Sequence, residues 1–295
     1  MTVEIRVPAS SANLGPGFDC LGLALPFFLT VHASPSEKWK ITNQTEHLPV
    51  GLQPQDHLLV RTALWTAEKY GQSLPPCDVE LSSEIPLARG LGSSAAAIVG
   101  GIQLANEMAN LKLSCEEIVH LASELEGHPD NVAAAVYGEV VVAIDLGSRT
   151  EVMKLHAADF YWLVAIPNNE LKTSVARGVL PDTYQRDTAV KSSAVANMLV
   201  AALSIGDAEK VGFYMEQDNF HEPYRFSLIE HAEAFRRDVK RLGAFGTSIS
   251  GAGPTLLSLV PAEFPIEQLS SLYPHLSLSI VTTWGAGLET KQIAK

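Results

Sequence analysis

Cysteine is scarce: Cys20, Cys77 and Cys115 are three in 295 residues, scattered and without CxxC spacing. That excludes a disulfide framework and a cysteine zinc site, and it fits a reducing compartment. Basic residues are also short, with 21 Lys and Arg against 33 Asp and Glu and a formal charge of −12. A polyphosphate or an anionic lipid surface needs clustered cations, so neither nucleic acid nor membrane is an expected partner. The opening MTVEIRVPASSANLG has neither the basic start nor the long apolar stretch of a secretion signal, and no uninterrupted apolar run approaches bilayer-spanning length. A cytoplasmic protein is the expectation. Internal repeats and low-complexity tracts are lacking too.

What is present is apolar content, 46% of residues with a mean hydropathy of +0.11, enough for a sizeable core. Alternating apolar residues in VEIRV, LTVHA, WKIT and CDVELSS predict strands of a mixed or antiparallel sheet. HLLVRTALWTAEKYG predicts a helix closed by Gly71, and a longer helix is expected from Ser94 to Asn110. Ser114 and Glu117 form a capping-box pattern for a helix running toward Gly127. EVVVAIDL and FYWLVAIP have the composition of buried strands. The polar segment between them, near 146–158, is the expected boundary between a first unit, 1–150, and a second, 151–295. The second unit predicts helices from Val190 to Ile205 and from Ser227, with a second capping box at Glu230, to Gly243, then strands in TLLSLV and LSLSIVTTW. No regular βαβ alternation emerges, so the fold class is α+β.

The chemistry centres on PLARGLGSSAAA. Pro86, Leu87, Ala88 and Arg89 lead into Gly90, Leu91 and Gly92, and Ser93, Ser94, Ala95 and Ala96 open the helix. The glycines let backbone N–H groups approach an anion, and the helix start adds unpaired donors and about half a positive charge. The stretch is neither a Walker A loop nor GxGxxG, and alone it is equally a Gly-Ser turn with a serine cap.

Together with PASSANLGPGFDCLGLAL before it and GTSISGAGPTLLSL after it, the loop makes three motifs whose order resembles the GHMP kinase family, over the chain from Pro8 to Gly287. The resemblance implies a two-domain α+β fold: an N-terminal mixed β/α domain of the ribosomal-protein type and a C-terminal ferredoxin-like α/β sandwich. It further implies ATP as co-substrate on residues 86–96, Mg2+, and phosphorylation of a small alcohol. SSANLGPGFD and GHPDNVAAAVYGE are most similar to members that act on L-homoserine. Two positions depart, Ala134 where proline is common and Glu139 where glycine is common.

Homoserine carries an ammonium, a carboxylate and the reacting hydroxyl, so its pocket needs an acid or amide, a base and a group near the hydroxyl. By resemblance, Asn13 and Asp19 bind the polar end and the hydroxyl and, with Asp130, make the catalytic set. His128 and Asp130 line the same pocket, and Thr173, Arg177 and Arg225 contact the substrate, the arginines suiting its carboxylate. Asp130 is expected to bind substrate rather than act as a base. Plainer readings stay open: solvated arginines, a structural His128, an Asx turn at Asp130 and Asn131. For Mg2+ the resemblance implies Ser94 and a glutamate of LASELEG, where the family spacing favours Glu124 over Glu126. Gly246, Gly251 and Gly253 are expected in one turn beside the loop. A mevalonate-like alcohol as substrate, or a catalytically silent sensor of the same fold, are the alternatives, and a homodimer is the expected assembly.

Overall fold

Period-two alternation extends well beyond the short runs that announce it. In the computed structural model, which describes residues 2–45, 47–48, 51–155 and 159–293, β1 is Thr2–Asn13 and β2 is Gly17–Pro35. The first motif is therefore not a loop but the closed end of a long hairpin. Then follow β3 (Lys40–Asn43), β4 (Cys77–Ser83), β5 (Val140–Asp145), β6 (Thr150–Leu155), β7 (Tyr161–Pro167), β8 (Gly246–Ile249), β9 (Leu256–Val260), β10 (Leu276–Thr282) and β11 (Glu289–Ile293). Helices are α1 (Leu58–Lys69), α2 (Ser93–Met108), α3 (Cys115–Glu126), α4 (Asp130–Tyr137), α5 (Thr173–Gly178), α6 (Arg186–Ile205), α7 (Ala208–Met215), α8 (Glu222–Arg225), α9 (Ala232–Arg241) and α10 (Ile266–Leu272).

Two sheets result. A seven-stranded one has the order β11-β1-β2-β4-β3, with β5 on β2 and β6 on β5, and a four-stranded one has the order β10-β7-β9-β8. Among the described strands only β3 and β4 pair in parallel; α1 lies between them in the chain and supplies the crossover that a parallel pair needs. The sheets do not divide where the sequence boundary of 150/151 was expected. β6 pairs with β5, and β11 returns from the far end of the chain to β1, so both belong to the first sheet. Residues 156–158, the end of that polar segment, lie outside the described residues.

Strand β7 is buried on both faces, which explains its continuous apolar run. Trp162 and Val164 join a cluster with Leu199 and Leu203 of α6 and Val211 and Met215 of α7. Leu163 and Ala165 face the opposite way, toward Phe235 and Val239 of α9 and Leu269 of α10.

Local signals fare unevenly. The capping box on α3 forms in full: Ser114 Oγ accepts from the Glu117 N–H at 3.2 Å, and the Glu117 carboxylate accepts from the Ser114 N–H at 2.8 Å. The second box does not. Phe226–Leu228 is a 3-10 turn, Glu230 pairs with His231, and α9 starts only after His231, at φ 60. α6 starts at Arg186, earlier than Val190. GTSI, expected within a turn, is strand β8, and the turn follows it. By length and composition α6 would suffice to cross a membrane, unlike any run foreseen from sequence; in the fold it packs on α7 through Leu199, Ala202 and Leu203.

Candidate active site

The phosphate loop, the hairpin end of β1 and β2, and the turns around α4, α5, α8 and residue 251 surround one cavity. The conformation of the loop depends on two glycines. Gly90 has φ 74 and Gly92 φ 69, and a Cβ on them would lie 2.3 Å from the Ser250 carbonyl oxygen and 2.2 Å from Ser10 Oγ. No L side chain fits there. Gly92 caps α2 without a side chain, so the N–H groups of the first turn are left to face the cavity that Ser93 and Ser94 line.

The loop is tied on both sides. Ser250 Oγ lies 2.6 Å from the Gly90 carbonyl oxygen and 2.8 Å from Ser11 Oγ, donating to the first and accepting from the second. Ser10 Oγ donates to Asn131 Oδ1 at 2.9 Å. Asn13, nearly buried at φ 74, donates from Nδ2 to the Gly251 carbonyl at 3.0 Å and accepts from the Asp19 N–H at 3.0 Å. Its amide thereby joins the first motif to the third.

All seven expected substrate residues, Asn13, Asp19, His128, Asp130, Thr173, Arg177 and Arg225, line this cavity. Arg177 grips Asp19 with two prongs, Nη2 to Oδ1 at 2.7 Å and Nη1 to Oδ2 at 3.1 Å. Arg225 is 2% exposed, and no carboxylate lies within ion-pair distance of it among the described residues. Its pKa is lowered by burial and then by the charge of Arg177, yet a guanidinium stays protonated. The outcome is a buried cation facing a cavity and lacking an anion. Asp130, 1% exposed, accepts at Oδ1 from the His128 ring at 2.7 Å and from the Asn131 N–H at 2.6 Å. Burial alone would depress the His128 pKa, but the hydrogen bond and charge of Asp130, with Glu126 and Asp19 beyond, raise it above its ordinary value.

Three expectations change. Glu124 is not at the site: it is exposed and ion-paired with Lys69 of α1. Two positions along a helix are about 200° apart, so Glu126 is the residue that turns inward, where its carboxylate accepts from Ser94 Oγ at 2.8 Å. Burial raises the Glu126 pKa, partly offset by the Ser94 hydrogen bond and by His128. Arg89 does not face the phosphate side of the loop; it donates to the carbonyls of Pro167 and Asn168 and pairs with Glu170, and with Pro86 it lines a different cavity. Leu91, Ala95 and Ala96 put their side chains in the core, leaving Ala88, Gly90, Gly92, Ser93 and Ser94 on the cavity wall.

Sequence reasoning passed over Ser10, Asn131, Ser250 and the Gly251 carbonyl. Asn131 stood within HPDN and the serines within the motifs, so the signal existed, but their partners are distant in the chain. A second cavity of about 260 Å3 opens beside Ser93 and Ser94, walled by Leu48, Leu52, Leu58, Leu81 and Ile85. His57 also lines it; both of its ring nitrogens are buried and make no hydrogen bond among the described residues, and burial lowers its pKa.

A two-sheet α+β chain with a glycine-rich helix start beside an arginine-lined cavity has the arrangement of a small-molecule kinase. Residues 57–139 match the GHMP kinases N terminal domain and residues 198–275 the GHMP kinases C terminal domain. The chain is 47% identical to a homoserine kinase of Oceanobacillus iheyensis, covering 87% of this chain and 86% of that one. It is 42% identical to a homoserine kinase of Bacillus licheniformis over 98% and 95% of the two. The crystal structure of homoserine kinase from Cytophaga hutchinsonii superposes with a TM-score of 0.84 at 27% identity, covering 98% of this chain and 97% of that one. The chain belongs to the homoserine kinase family of the GHMP kinases.

The His128–Asp130 pair sets a pH dependence. Because the folded pKa of His128 is raised, its contribution to stability is fully present below the unfolded pKa of about 6.5 and is lost as pH rises through the folded value. The melting-temperature gap between wild type and His128→Gln, measured by calorimetry, is expected to narrow from about pH 6 to about pH 9. A gap that widens would contradict the pairing.

Proposed function

We propose that the chain transfers the γ-phosphoryl group of ATP to the side-chain hydroxyl of L-homoserine, giving O-phospho-L-homoserine and ADP. The observation that carries this is Arg225, a buried guanidinium without an anion, on the same cavity as the Asp19–Arg177 pair and the uncapped start of α2. A zwitterion suits that arrangement: its carboxylate meets the arginines and its ammonium meets Asp19 and the Asn13 amide. The triphosphate lies along the loop, on backbone N–H donors and the helix dipole. The apolar cavity beside Ser93 offers flat walls to the base, and the unpartnered His57 nitrogens can meet its polar edge.

Phosphoryl transfer proceeds through a loose transition state, so holding the hydroxyl in line and neutralising equatorial oxygens supply most of the acceleration. The hydroxyl oxygen bonds to the γ-phosphorus as the bond to the ADP oxygen breaks, and the hydroxyl proton passes to an oxygen of the transferred phosphoryl group and from there to solvent. Asp130 is assigned an orienting role, its Oδ1 accepting from His128 and Asn131. The donors at Ser94 and Glu126 are hard oxygens, one a carboxylate that burial disfavours as an anion, and that set fits Mg2+. When bound, the ion would neutralise phosphate charge, and Ser94 and Glu126 are the residues that would hold it. Asp19, His128 and Asp130 also bring ligand atoms within 4.8 Å of one another, but the hydrogen bonds from Arg177 and His128 favour an ion-paired cluster there. Three free cysteines agree with a cytoplasmic location. A homodimer belongs to the same reading, supported by the outward Val190, Met198 and Ile205 of α6; a monomer mass by light scattering would remove it.

A coupled assay of ADP release with L-homoserine, mevalonate, galactose and L-serine tests the function, and homoserine is expected to be clearly the best acceptor. If mevalonate wins, the substrate is wrong; if no acceptor turns over, the sensor alternative stands. Asp130→Asn is expected to raise the KM for homoserine with a modest loss of kcat. A kcat loss approaching the roughly 10²–10⁴-fold typical of a missing general base, at unchanged KM, would make Asp130 the base. Adding Mg2+ at about tenfold over its Kd should stabilise the wild type by about 1.4 kcal/mol. In thermal melts Glu126→Gln loses that gain and Glu124→Gln keeps it; the reverse pattern restores Glu124 as the ligand.

A further inference from the structure

Arg225 is held by neutral groups alone. Its Nε donates to the Ala176 carbonyl at 3.0 Å, and its Nη1 donates to the Gly251 carbonyl at 3.2 Å and to His221 Nδ1 at 3.3 Å. No hydrogen bond to the protein involves Nη2 among the described residues. A guanidinium on a long side chain recognises a carboxylate well only if its plane is fixed beforehand.

His221 is the one side chain in that clamp, and its ring can be in only one state. Nε2 lies 2.8 Å from the carbonyl oxygen of Gly15. A carbonyl only accepts, so the ring proton sits on Nε2, and Nδ1 is left with the lone pair that accepts from Arg225. The ring is fully buried and stacks on Phe18, with centroids 5.2 Å apart and planes at 23°. The same Phe18 ring lies 5.3 Å from the Arg225 guanidinium carbon. Asp218 fixes the segment from below, accepting from the N–H groups of Phe220, His221 and Glu222 at 2.7–2.9 Å. Burial, outweighing the nearby Asp218 charge, keeps the imidazole neutral. A second proton would abolish the acceptor and set a cation against Arg225.

We propose that His221 is a positioning residue for substrate selection: as the Nε2–H tautomer it orients the Arg225 guanidinium so that its remaining edge receives the α-carboxylate of the amino-acid substrate. The inference rests on the homoserine reading above. It differs from a general structural role because it acts on one group of the substrate only.

The test is calorimetric binding to the full chain with two ligands, L-homoserine and L-homoserinamide, the latter keeping the ammonium and hydroxyl but having no anionic carboxylate. His221→Leu is expected to weaken homoserine about tenfold or more, the scale of one charge-assisted contact misplaced, and to leave homoserinamide within about twofold. His221→Asn, whose amide oxygen stands near the position of Nδ1, should retain most of the homoserine affinity. His221→Gln keeps the bond to Gly15 but vacates the Nδ1 position, and it should behave like the leucine variant. Equal losses for both ligands, or a glutamine variant that binds homoserine better than the asparagine one, would overturn the proposal. That order of Asn and Gln decides the matter even if the leucine variant does not fold. Wild type that binds neither ligand would show instead that the homoserine reading itself has failed, and the proposal falls with it.

Discussion

One carbonyl oxygen governs the geometry of the cavity. The Gly251 carbonyl accepts from Asn13 Nδ2 and from Arg225 Nη1, and its own N–H donates to the Ala12 carbonyl. The neighbouring Ser250 hydroxyl reaches the Gly90 carbonyl and Ser11. Two residues in a turn after β8 thus hold the end of the first hairpin, the glycine-rich loop and the cavity-lining Arg225 in fixed relation. Each of these bonds is worth about 1 kcal/mol net, but a buried partner left unpaired costs more, so they hold or fail as a set.

The electrostatics follow from that frame. Arg225 lies buried among neutral acceptors, and Glu126 is a carboxylate whose charge burial opposes. Neither arrangement favours folding by itself. Asp19 and Arg177, by contrast, satisfy one another across the cavity. Charged groups that burial opposes, on a scaffold whose buried residues are mostly apolar, mark the places where stability has been given up for recognition.

Much of this was legible in the chain. The glycines of GLGSS and the capping pattern of α3 encode their structure locally, and they form as read. Residues in the three motifs converge because the motifs themselves are the contact points. What the sequence hid was phase and distance. Whether Glu124 or Glu126 faces Ser94 turns on about 200° of helix rotation, and the apolar Leu125 between them is no guide to the phase, because it is exposed. The capping pattern at Ser227 gives way to other local partners: Ser227 Oγ donates to the Tyr224 carbonyl, and Glu230 pairs with His231. His221 carried no signal at all, since its meaning lies in Gly15 and Arg225, and Gly15 is 206 positions away.

The last strand has a consequence for how the chain is made. β11 covers the outer edge of β1, and their Arg6–Glu289 pair joins residues 283 positions apart. Chain synthesis delivers the second of these strands long after the first, at about 5–20 residues per second. For most of that time β1 has one unprotected edge, the feature through which sheets pair wrongly with other chains. The vulnerable period of this molecule is therefore its emergence from the ribosome, and the finished fold owes the cover on β1 to a strand made long after it.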